Sequence, residues 1–384
     1  MKKKFSMLTL ALAATLGLVA CGKGAADQSS KGESTDAKFK VGMMTDLGNI
    51  DDKSFNQGTW EGIERYKKDY GTIETKYLKP TGEATQDFLD AADNLISSGH
   101  EMIIAPGFKF EEAIAKLQVE NPDQKFVIID GQPRVKVDGK VDETVTDNTL
   151  AIYFAEQEAG FLAGIAAALE TETNKVGFIG GMVSPAVQKF GYGFVMGVAY
   201  ANANLGTNVE VADYLYNGTF TDVAGGKAQA GGMYDKGIDI IFTAAGAVGS
   251  GVIAEGKERA EAGENVYVIG VDVDQYEDGL LSDGRSVILT SAIKRIDNAS
   301  YDAINQVMNG NFDGGKVVTL DAKNDAIGLP KENPNLSEVS QSETDKIYGM
   351  MKDGSLVIPS DLDGVEAKLT EYGYNFEALN LSGE

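Results

Sequence analysis

The sequence predicts an α/β protein of two doubly wound lobes, each a parallel sheet covered by helices, joined by a hinge of three chain crossings. From Phe39 onward, short apolar runs alternate with longer amphipathic stretches, which is the pattern of repeated βα units. A polar, irregular stretch over 131–148 interrupts this pattern, and the alternation then starts again. The 346 residues from Phe39 to the end are enough chain for two domains.

The first half of the chain predicts four strands separated by three helices. The strands are expected at 39–45, 72–78, 101–105 and 125–130, and the helices near 55–69, 86–98 and 110–119. This βαβαβαβ order implies a parallel sheet with helices on both faces.

The second half repeats that order after a long helix predicted over 150–170. Strands are expected at 175–180, 209–216, 238–244 and 266–271, and helices near 186–204, 222–236 and 248–263. A last strand (286–291), helix (296–310) and strand (316–320) are too few for a third domain, so we expect them to complete the two lobes. We predict crossings near 147–150, 272–275 and 313–317, with lobe one at 39–148 plus 274–314 and lobe two at 149–273 plus 315–384.

Residues 1–20 are typical of a bacterial export signal. Three lysines precede an apolar stretch that ends at Ala20 and is too short to span a bilayer. The segment closes on Leu-Val-Ala-Cys, which resembles a lipobox, and Cys21 is the single cysteine of the chain. A cleaved secretory signal with an incidental cysteine is the alternative, but it would leave an unpaired thiol on an exported protein.

We therefore expect Cys21 to carry the lipid and residues 21–38 to form a flexible tether. That segment is rich in Gly, Ser, Ala and charge and has no apolar residue able to anchor a core. The protein would then be extracytoplasmic and anchored to the cell membrane without spanning it.

The net charge limits the class of partner. It is −24 for the whole chain, and removal of residues 1–20 takes away three lysines and no acids, leaving −27. Such a surface repels nucleic acid, so we expect the partners to be small molecules or a dedicated membrane protein.

Candidate binding residues follow the predicted strands, because ligands of open α/β sheets bind outside the carboxyl ends of the strands. These strand ends carry Asp46, Asp130, Gly246, Asp272 and Lys294. For any single Asp there, a helix cap or a turn is the commoner role. Capping also explains Asp52 and Ser54, and Ser54 with Gln57 has the spacing of a capping box.

Capping does not explain two aromatic residues. Phe55 follows Ser54 at the start of a predicted helix, and Phe220 occupies the same kind of position in the second half. Two rings from different lobes could hold a flat heteroaromatic group between them. Phe190 is a reserve candidate for the second ring, although a core position on its helix is the simpler interpretation.

The motif set resembles the basic membrane protein family. The segments DDKSFNQ, FVIIDG, GFIGGM, GTFTD, TAAGAVGSGV, GVDVDQ and TSAIKR occur in that order over most of the mature chain. The understood members of this family are PnrA-type purine nucleoside receptors, lipoproteins with a type I periplasmic-binding-protein-like fold that deliver nucleosides to an ABC transporter permease.

This resemblance implies a role for each candidate. Phe55 and Phe220 would sandwich a purine base, and Asn56 and Asp130 would hydrogen-bond its polar edge. The ribose would be held by Asp46, Gly246, Asp272 and Lys294. The resemblance implies binding without catalysis, and with one histidine and one cysteine the usual nucleophile and base pairs are absent.

Two alternatives stay open at this point. The carboxylates could activate water, as in a nucleoside hydrolase, or the protein could be a surface sensor or adhesin without a transport role. We expect no cofactor and no metal: DVDQYEDG over 272–279 suggests a calcium loop, but Arg285 stands where an EF-hand needs Glu.

Overall fold

The computed structural model describes residues 38–46 and 48–383, and every structural statement below refers to these residues. The strands are β1 (Phe39–Met44), β2 (Ile73–Leu78), β3 (Met102–Pro106), β4 (Lys125–Ile129), β5 (Val135–Val137), β6 (Lys140–Asp142), β7 (Thr149–Phe154), β8 (Lys175–Gly180), β9 (Glu210–Tyr216), β10 (Ile240–Ala244), β11 (Tyr267–Asp272), β12 (Ile288–Lys294), β13 (Lys316–Leu320) and β14 (Ile327–Gly328).

The helices agree with the predicted order through residue 310 and continue beyond it. They are α1 (Phe55–Tyr70), α2 (Thr85–Ser97), α3 (Glu111–Glu120), α4 (Glu156–Glu170), α5 (Pro185–Asn204), α6 (Val223–Asp235), α7 (Ala247–Glu261), α8 (Ile296–Met308), α9 (Glu338–Asp353) and α10 (Leu362–Glu371). Short 3₁₀ turns occupy Phe108–Phe110, Tyr276–Gly279 and Ala322–Asn324.

Two six-stranded sheets form the centres of the two lobes. The first has the order β13-β7-β4-β3-β1-β2 and is parallel throughout. The second has the order β14-β12-β11-β10-β8-β9 and is parallel except for β14. The predicted fold class, two doubly wound parallel-sheet lobes, is confirmed.

The predicted lobe boundaries differ from the observed strand pairing. Strands β7 and β13 pair with each other in the first sheet, although 149–154 and 315–320 were assigned to lobe two. Strand β12 pairs with β11 in the second sheet, although 274–314 was assigned to lobe one. The chain therefore crosses between lobes after β7, after β12 and after β13, because non-local pairing decides which sheet a strand joins.

The helix predicted over 150–170 was wrong in its first part. Residues 149–154 form β7, and α4 begins only at Glu156. The apolar run from Leu150 to Phe154 is largely buried on both faces, and such a run has the same appearance in a buried strand and in a buried helix.

Helices α4 and α5 of the second lobe pack at very short range, which positions the N-terminal half of α5. A Cβ atom at Gly160 would lie 2.2 Å from the Phe190 carbonyl oxygen, and one at Gly164 would lie 2.2 Å from the Phe194 carbonyl oxygen. Only glycine permits this approach of the two backbones.

The C-terminal segment, which the sequence assigned to lobe two without predicting its helices, covers the second lobe. Helix α9 packs against α4, and α10 packs against α5. The Tyr374 hydroxyl then accepts a hydrogen bond from the Val211 N–H of the edge strand β9, at 2.7 Å. This segment therefore protects an open sheet edge.

Within 38–46 and 48–383, no helix has both the length and the apolar character needed to cross a membrane. The predicted export signal, the lipidated Cys21 and almost all of the tether lie outside the described residues.

Candidate ligand-binding site between the two lobes

One cavity between the two lobes brings together all eight residues predicted to bind the ligand. Its volume is about 810 Å³ when the space open to solvent is included. The predicted residues that line it are Asp46, Phe55, Asn56, Asp130, Phe220, Gly246, Asp272 and Lys294. They converge because each follows or ends a strand, or begins a helix, at the carboxyl edge of a parallel sheet.

The two aromatic rings come from different lobes. Phe55 is the first residue of α1, and Phe220 lies between β9 and α6. The Phe220 ring lies over Gly181, where an added Cβ would be only 2.4 Å from Phe220 Cδ1. Gly181 therefore creates the space that this ring occupies.

Gly246 brings bare backbone to the same wall of the cavity. Its φ of 57° with ψ of −133° is a conformation that side chains disfavour, and it immediately precedes α7. A Cβ at this position would lie at ordinary contact distance from Phe220, 3.5 Å from its Cβ, so a larger residue is disfavoured by the backbone conformation and not by crowding.

Phe190 is a core residue that also reaches the cavity, and its role as a second stacking ring stays a prediction. It is 3 % exposed and packs edge-to-face on Phe242 with a centroid distance of 6.0 Å, as a core residue would. It also lines the cavity, and its ring centroid is 5.6 Å from Lys294 Nζ.

Lys294 is the centre of a buried charge cluster. Its Nζ donates a hydrogen bond to Asp130 Oδ2, and it lies 3.7 Å from Glu156 Oε1 and 3.7 Å from Asp272 Oδ1. Burial alone lowers the pKa of Lys294, but the negative charges of Asp130, Asp272 and Glu156 outweigh burial, and the net result is a raised pKa. The lysine is therefore charged at neutral pH.

Aromatic faces surround the same ammonium group. Lys294 Nζ lies 4.7 Å from the centroid of the Phe55 ring and 5.5 Å from that of Phe154. These cation–π contacts add to the attraction of the carboxylates and restrict the position of the lysine.

Two aspartates of the site have left-handed backbone conformations. Asp130 follows β4 with φ of 58°, and Asp272 ends β11 with φ of 67°. This region is uncommon for any residue with a side chain, and such residues concentrate at functional sites.

Asp272 also connects the two lobes. Its Oδ2 accepts a hydrogen bond of 2.5 Å from Ser54 Oγ, and its side chain is buried. Burial raises the pKa of Asp272, while Lys294 and Ser54 act in the opposite direction.

The capping roles assigned to Asp52 and Ser54 have different outcomes. Asp52 does cap α1, since its Oδ2 accepts from the Asn56 N–H at 2.9 Å and its Oδ1 from the Gln57 N–H at 3.1 Å. Ser54 is the N-cap residue, but its hydroxyl makes no cap hydrogen bond and donates to Asp272 across the cleft instead. A spacing rule could not detect a partner 218 positions away.

Asn56 is held by two acids. Its Nδ2 donates to Asp46 Oδ1 at 2.9 Å and to Asp52 Oδ2 at 2.8 Å. Asp46 Oδ1 also accepts from the Gly48 N–H at 2.6 Å. Asn56 Oδ1 is buried and has no hydrogen-bond partner among the described residues.

Glu156 is a member of the Lys294 charge cluster that the sequence analysis missed, although it does not itself line the cavity. It is 1 % exposed at the start of α4, with Oε2 3.4 Å from Lys189 Nζ. Burial, together with the charge of Asp130, raises the pKa of Glu156 to about 7, against the opposing effect of Lys294 and Lys189. An acid in the first turn of a helix normally indicates a solvated end, so its sequence context contained no signal of burial.

No group of three or more His, Cys, Asp or Glu side chains within 38–46 and 48–383 has the geometry to hold a metal ion. The cavity wall includes carboxylates, one amide, two lysines, two serines and phenyl rings among small and aliphatic residues, a set suited to hydrogen-bonding and stacking with a small polar aromatic molecule.

Comparison with known proteins places the chain in a family. Residues 39–359 match the family model described as ABC transporter substrate-binding protein PnrA-like. The chain is 34% identical over 371 residues to a CD4+ T-cell-stimulating antigen of Listeria innocua, a match that covers 94% of this chain and 99% of that protein. It is 32% identical, with the same coverage, to the ABC transporter nucleoside-binding protein BmpA of Lactococcus lactis.

Solved structures share the fold. An ABC transporter solute-binding protein from Aeropyrum pernix superposes with a TM-score of 0.74 at 26% identity, covering 90% of this chain and 99% of that one. A second, from Conexibacter woesei, has a TM-score of 0.62 at 21% identity over 84% of this chain and 99% of that one, which supports the fold alone. As its motifs predicted, this chain belongs to the PnrA-like, or basic membrane protein, family of ABC transporter substrate-binding proteins, which bind solutes and are not enzymes.

Proposed function

We propose that this protein captures purine nucleosides outside the cytoplasmic membrane and delivers them to the permease of an ABC importer. The observation that carries the proposal is that Phe55 and Phe220, from different lobes, line one cavity together with the Lys294 charge cluster. The printed name of the Lactococcus lactis relative, a nucleoside-binding protein, agrees with this choice.

The base binds between the two rings. Stacking on aromatic side chains stabilises a bound base by about 1–3 kcal/mol per ring and tolerates different bases. Asn56 and Asp130 then hydrogen-bond the polar edge of the base. A flat heterocycle is the ligand shape that two rings from opposing lobes accommodate best.

The ribose binds to the charged end of the cavity. Asp272 can accept from two vicinal hydroxyls, and Lys294 can donate to a ribose oxygen, with Asp46 and the backbone at Gly246 completing the contacts. A phosphorylated nucleoside is disfavoured by charge, because four aspartates (Asp46, Asp52, Asp130 and Asp272) line the cavity against two lysines, Lys109 and Lys294.

Binding favours the closed arrangement of the lobes. Contacts across the cleft include the Ser54 to Asp272 hydrogen bond and a hydrogen bond of 2.8 Å from Gln275 Nε2 to the Lys53 carbonyl oxygen. A nucleoside that touches both lobes adds to these contacts only when the cleft is shut, which shifts the population toward the form that a permease recognises. A lipid on Cys21 would keep the protein at the membrane.

Isothermal titration calorimetry of the mature protein tests the proposal. Inosine, guanosine and adenosine are expected to bind, whereas ribose alone and guanosine monophosphate are expected to bind far more weakly. Ribose binding as tightly as any nucleoside would contradict the stacking argument. Incubation with inosine should release no hypoxanthine, and release in proportion to protein and time would instead indicate a hydrolase.

Trp60 offers a second, optical readout. It lies one turn beyond Asn56 on α1 and packs edge-to-face on Tyr77, with a centroid distance of 5.2 Å. A change in its fluorescence on titration would report movement of the helix that carries Phe55.

A further inference from the structure

Two buried oxygen atoms of the cavity residues have no hydrogen-bond donor among the described residues. They are Asn56 Oδ1 and Asp130 Oδ1, and both residues line the cavity. A buried acceptor that lacks a donor is costly, so native sites supply one from solvent or from a ligand. Both atoms therefore favour a ligand that supplies hydrogen-bond donors.

The hydrogen-bond network determines which atom of the Asn56 amide is unpartnered. The oxygen and nitrogen of an amide have nearly the same shape, but ionised carboxylates accept hydrogen bonds and cannot donate them. Since Asp46 Oδ1 and Asp52 Oδ2 both contact one end of the Asn56 amide, that end must be the nitrogen. The oxygen is then the atom left for a ligand.

Asp52 is itself fixed by backbone donors. Its oxygens accept from the N–H groups of Ser54 at 3.0 Å, Asn56 at 2.9 Å and Gln57 at 3.1 Å. The carboxylate is 7 % exposed, so solvent does not compete with these contacts. Asp52 is thus a rigid acceptor beside the Asn56 amide, and it lies in the same chain segment as Phe55.

We propose that Asn56 Oδ1 and Asp130 Oδ1 are the acceptors that meet the base, that Asp52 together with Asp46 fixes the Asn56 amide in this orientation, and that the protein therefore selects nucleosides whose bases carry N–H donors. This inference rests on the proposed nucleoside-binding function and adds the chemical rule for the base. Guanine offers two neighbouring donors, the ring N–H and the exocyclic amino group. Hypoxanthine offers one ring N–H on that edge, and the unsubstituted purine of purine riboside offers none.

A ligand series on the unmodified protein tests the rule by calorimetry. Guanosine, inosine, 1-methylinosine and purine riboside have similar stacking surfaces and the same ribose. Loss of a donor to a buried, partly charged acceptor site should weaken binding by about 10- to 100-fold. We expect guanosine to bind at least as tightly as inosine, and inosine to bind that much more tightly than the two analogues that lack the donor.

The possible failures are distinguishable. If purine riboside binds as tightly as inosine, the donor rule is overturned while the proposed nucleoside function stands. If none of the four nucleosides binds, the proposed function is overturned and this inference with it.

The positioning role of Asp52 is tested by the ratio of inosine affinity to purine riboside affinity. In Asp52→Asn the amide of Asn56 keeps only the Asp46 carboxylate as a fixing acceptor, and the ratio should fall. Asp361→Asn is the matched control, because Asp361 Oδ1 caps α10 by accepting from the Gly364 N–H at 3.0 Å and lies outside the cavity. It should lose less stability than Asp52→Asn, because Asp361 is exposed and caps its helix through one backbone N–H, and it should keep the ratio.

An unchanged ratio in a folded Asp52→Asn protein would overturn the role of Asp52. If that variant does not fold, Asn56→Ala removes the acceptor without touching the helix cap. The ratio must fall in Asn56→Ala as well, and a ratio equal to that of the unmodified protein would overturn the inference.

Discussion

The Phe55→Ala substitution tests the stacking model most directly. Phe55 is partly buried at the first position of α1, and its ring faces Lys294 Nζ at 4.7 Å. Removal of the ring deletes one of two stacking surfaces, which is worth about 1–3 kcal/mol, or roughly 5- to 150-fold in the dissociation constant. The fold should lose less than the roughly 3–5 kcal/mol typical of a fully buried Phe→Ala change.

The measurement is calorimetric titration with inosine, with thermal unfolding of each ligand-free variant as the stability readout. Phe55→Tyr keeps the ring and should keep most of the affinity. Phe312→Ala is the matched control: Phe312 is also partly buried and also faces a lysine, Lys125 at 5.7 Å, but it lies outside the cavity. Equal affinity of Phe55→Ala and Phe312→Ala for inosine would refute the reasoning.

Three further predictions concern the groups around the rings. Lys294→Met should lower nucleoside affinity by about tenfold or more and destabilise the fold by about 3–5 kcal/mol, because it leaves buried carboxylates without their cation. Calorimetry measures the affinity and urea unfolding measures the stability. An unchanged unfolding midpoint would argue against the charge cluster. Glu156 has a pKa of about 7 in the folded protein against 4.5 for an ordinary Glu, so the folded state holds its proton more tightly. The stability that this proton contributes is present at low pH and is lost, by up to roughly 3 kcal/mol, as pH rises from about 4.5 to about 7. Glu156→Gln should lack this loss in unfolding curves measured across that pH range. If the unfolding free energies of the unmodified protein and of Glu156→Gln change with pH in parallel, the assignment is disproved. Gly181→Ala should displace the Phe220 ring and weaken inosine binding, whereas Gly232→Ala, with no atom within 4 Å of the added carbon, should not; equal affinities would show that the ring position is unimportant.

The sequence predicted most of the site because the chemistry lies at strand ends. Asp46, Asp130, Asp272 and Lys294 could be found by locating the ends of apolar runs, and the parallel-sheet rule then required them to converge. The structure places them in one cavity, as expected. Their ligand contacts stay a prediction.

Residues whose role depends on distant partners were harder to find. Ser54 has the spacing of a cap, yet its hydroxyl bonds Asp272, which follows it by 218 positions. Glu156 looks like an exposed acid at a helix start, yet the second lobe buries it beside Lys294 and Lys189. Local patterns do not include the burial that converts such residues into site residues.

The sequence by itself determined the βα order of the two lobes except for β7, the family, and the strand ends where the binding residues lie. Only the tertiary structure decided that β7 and β13 belong to the first sheet and β12 to the second, and which way the Asn56 amide faces. Periodicity and motifs are properties of neighbouring residues, whereas strand pairing and the polarity of a buried amide depend on groups that folding brings together from far along the chain.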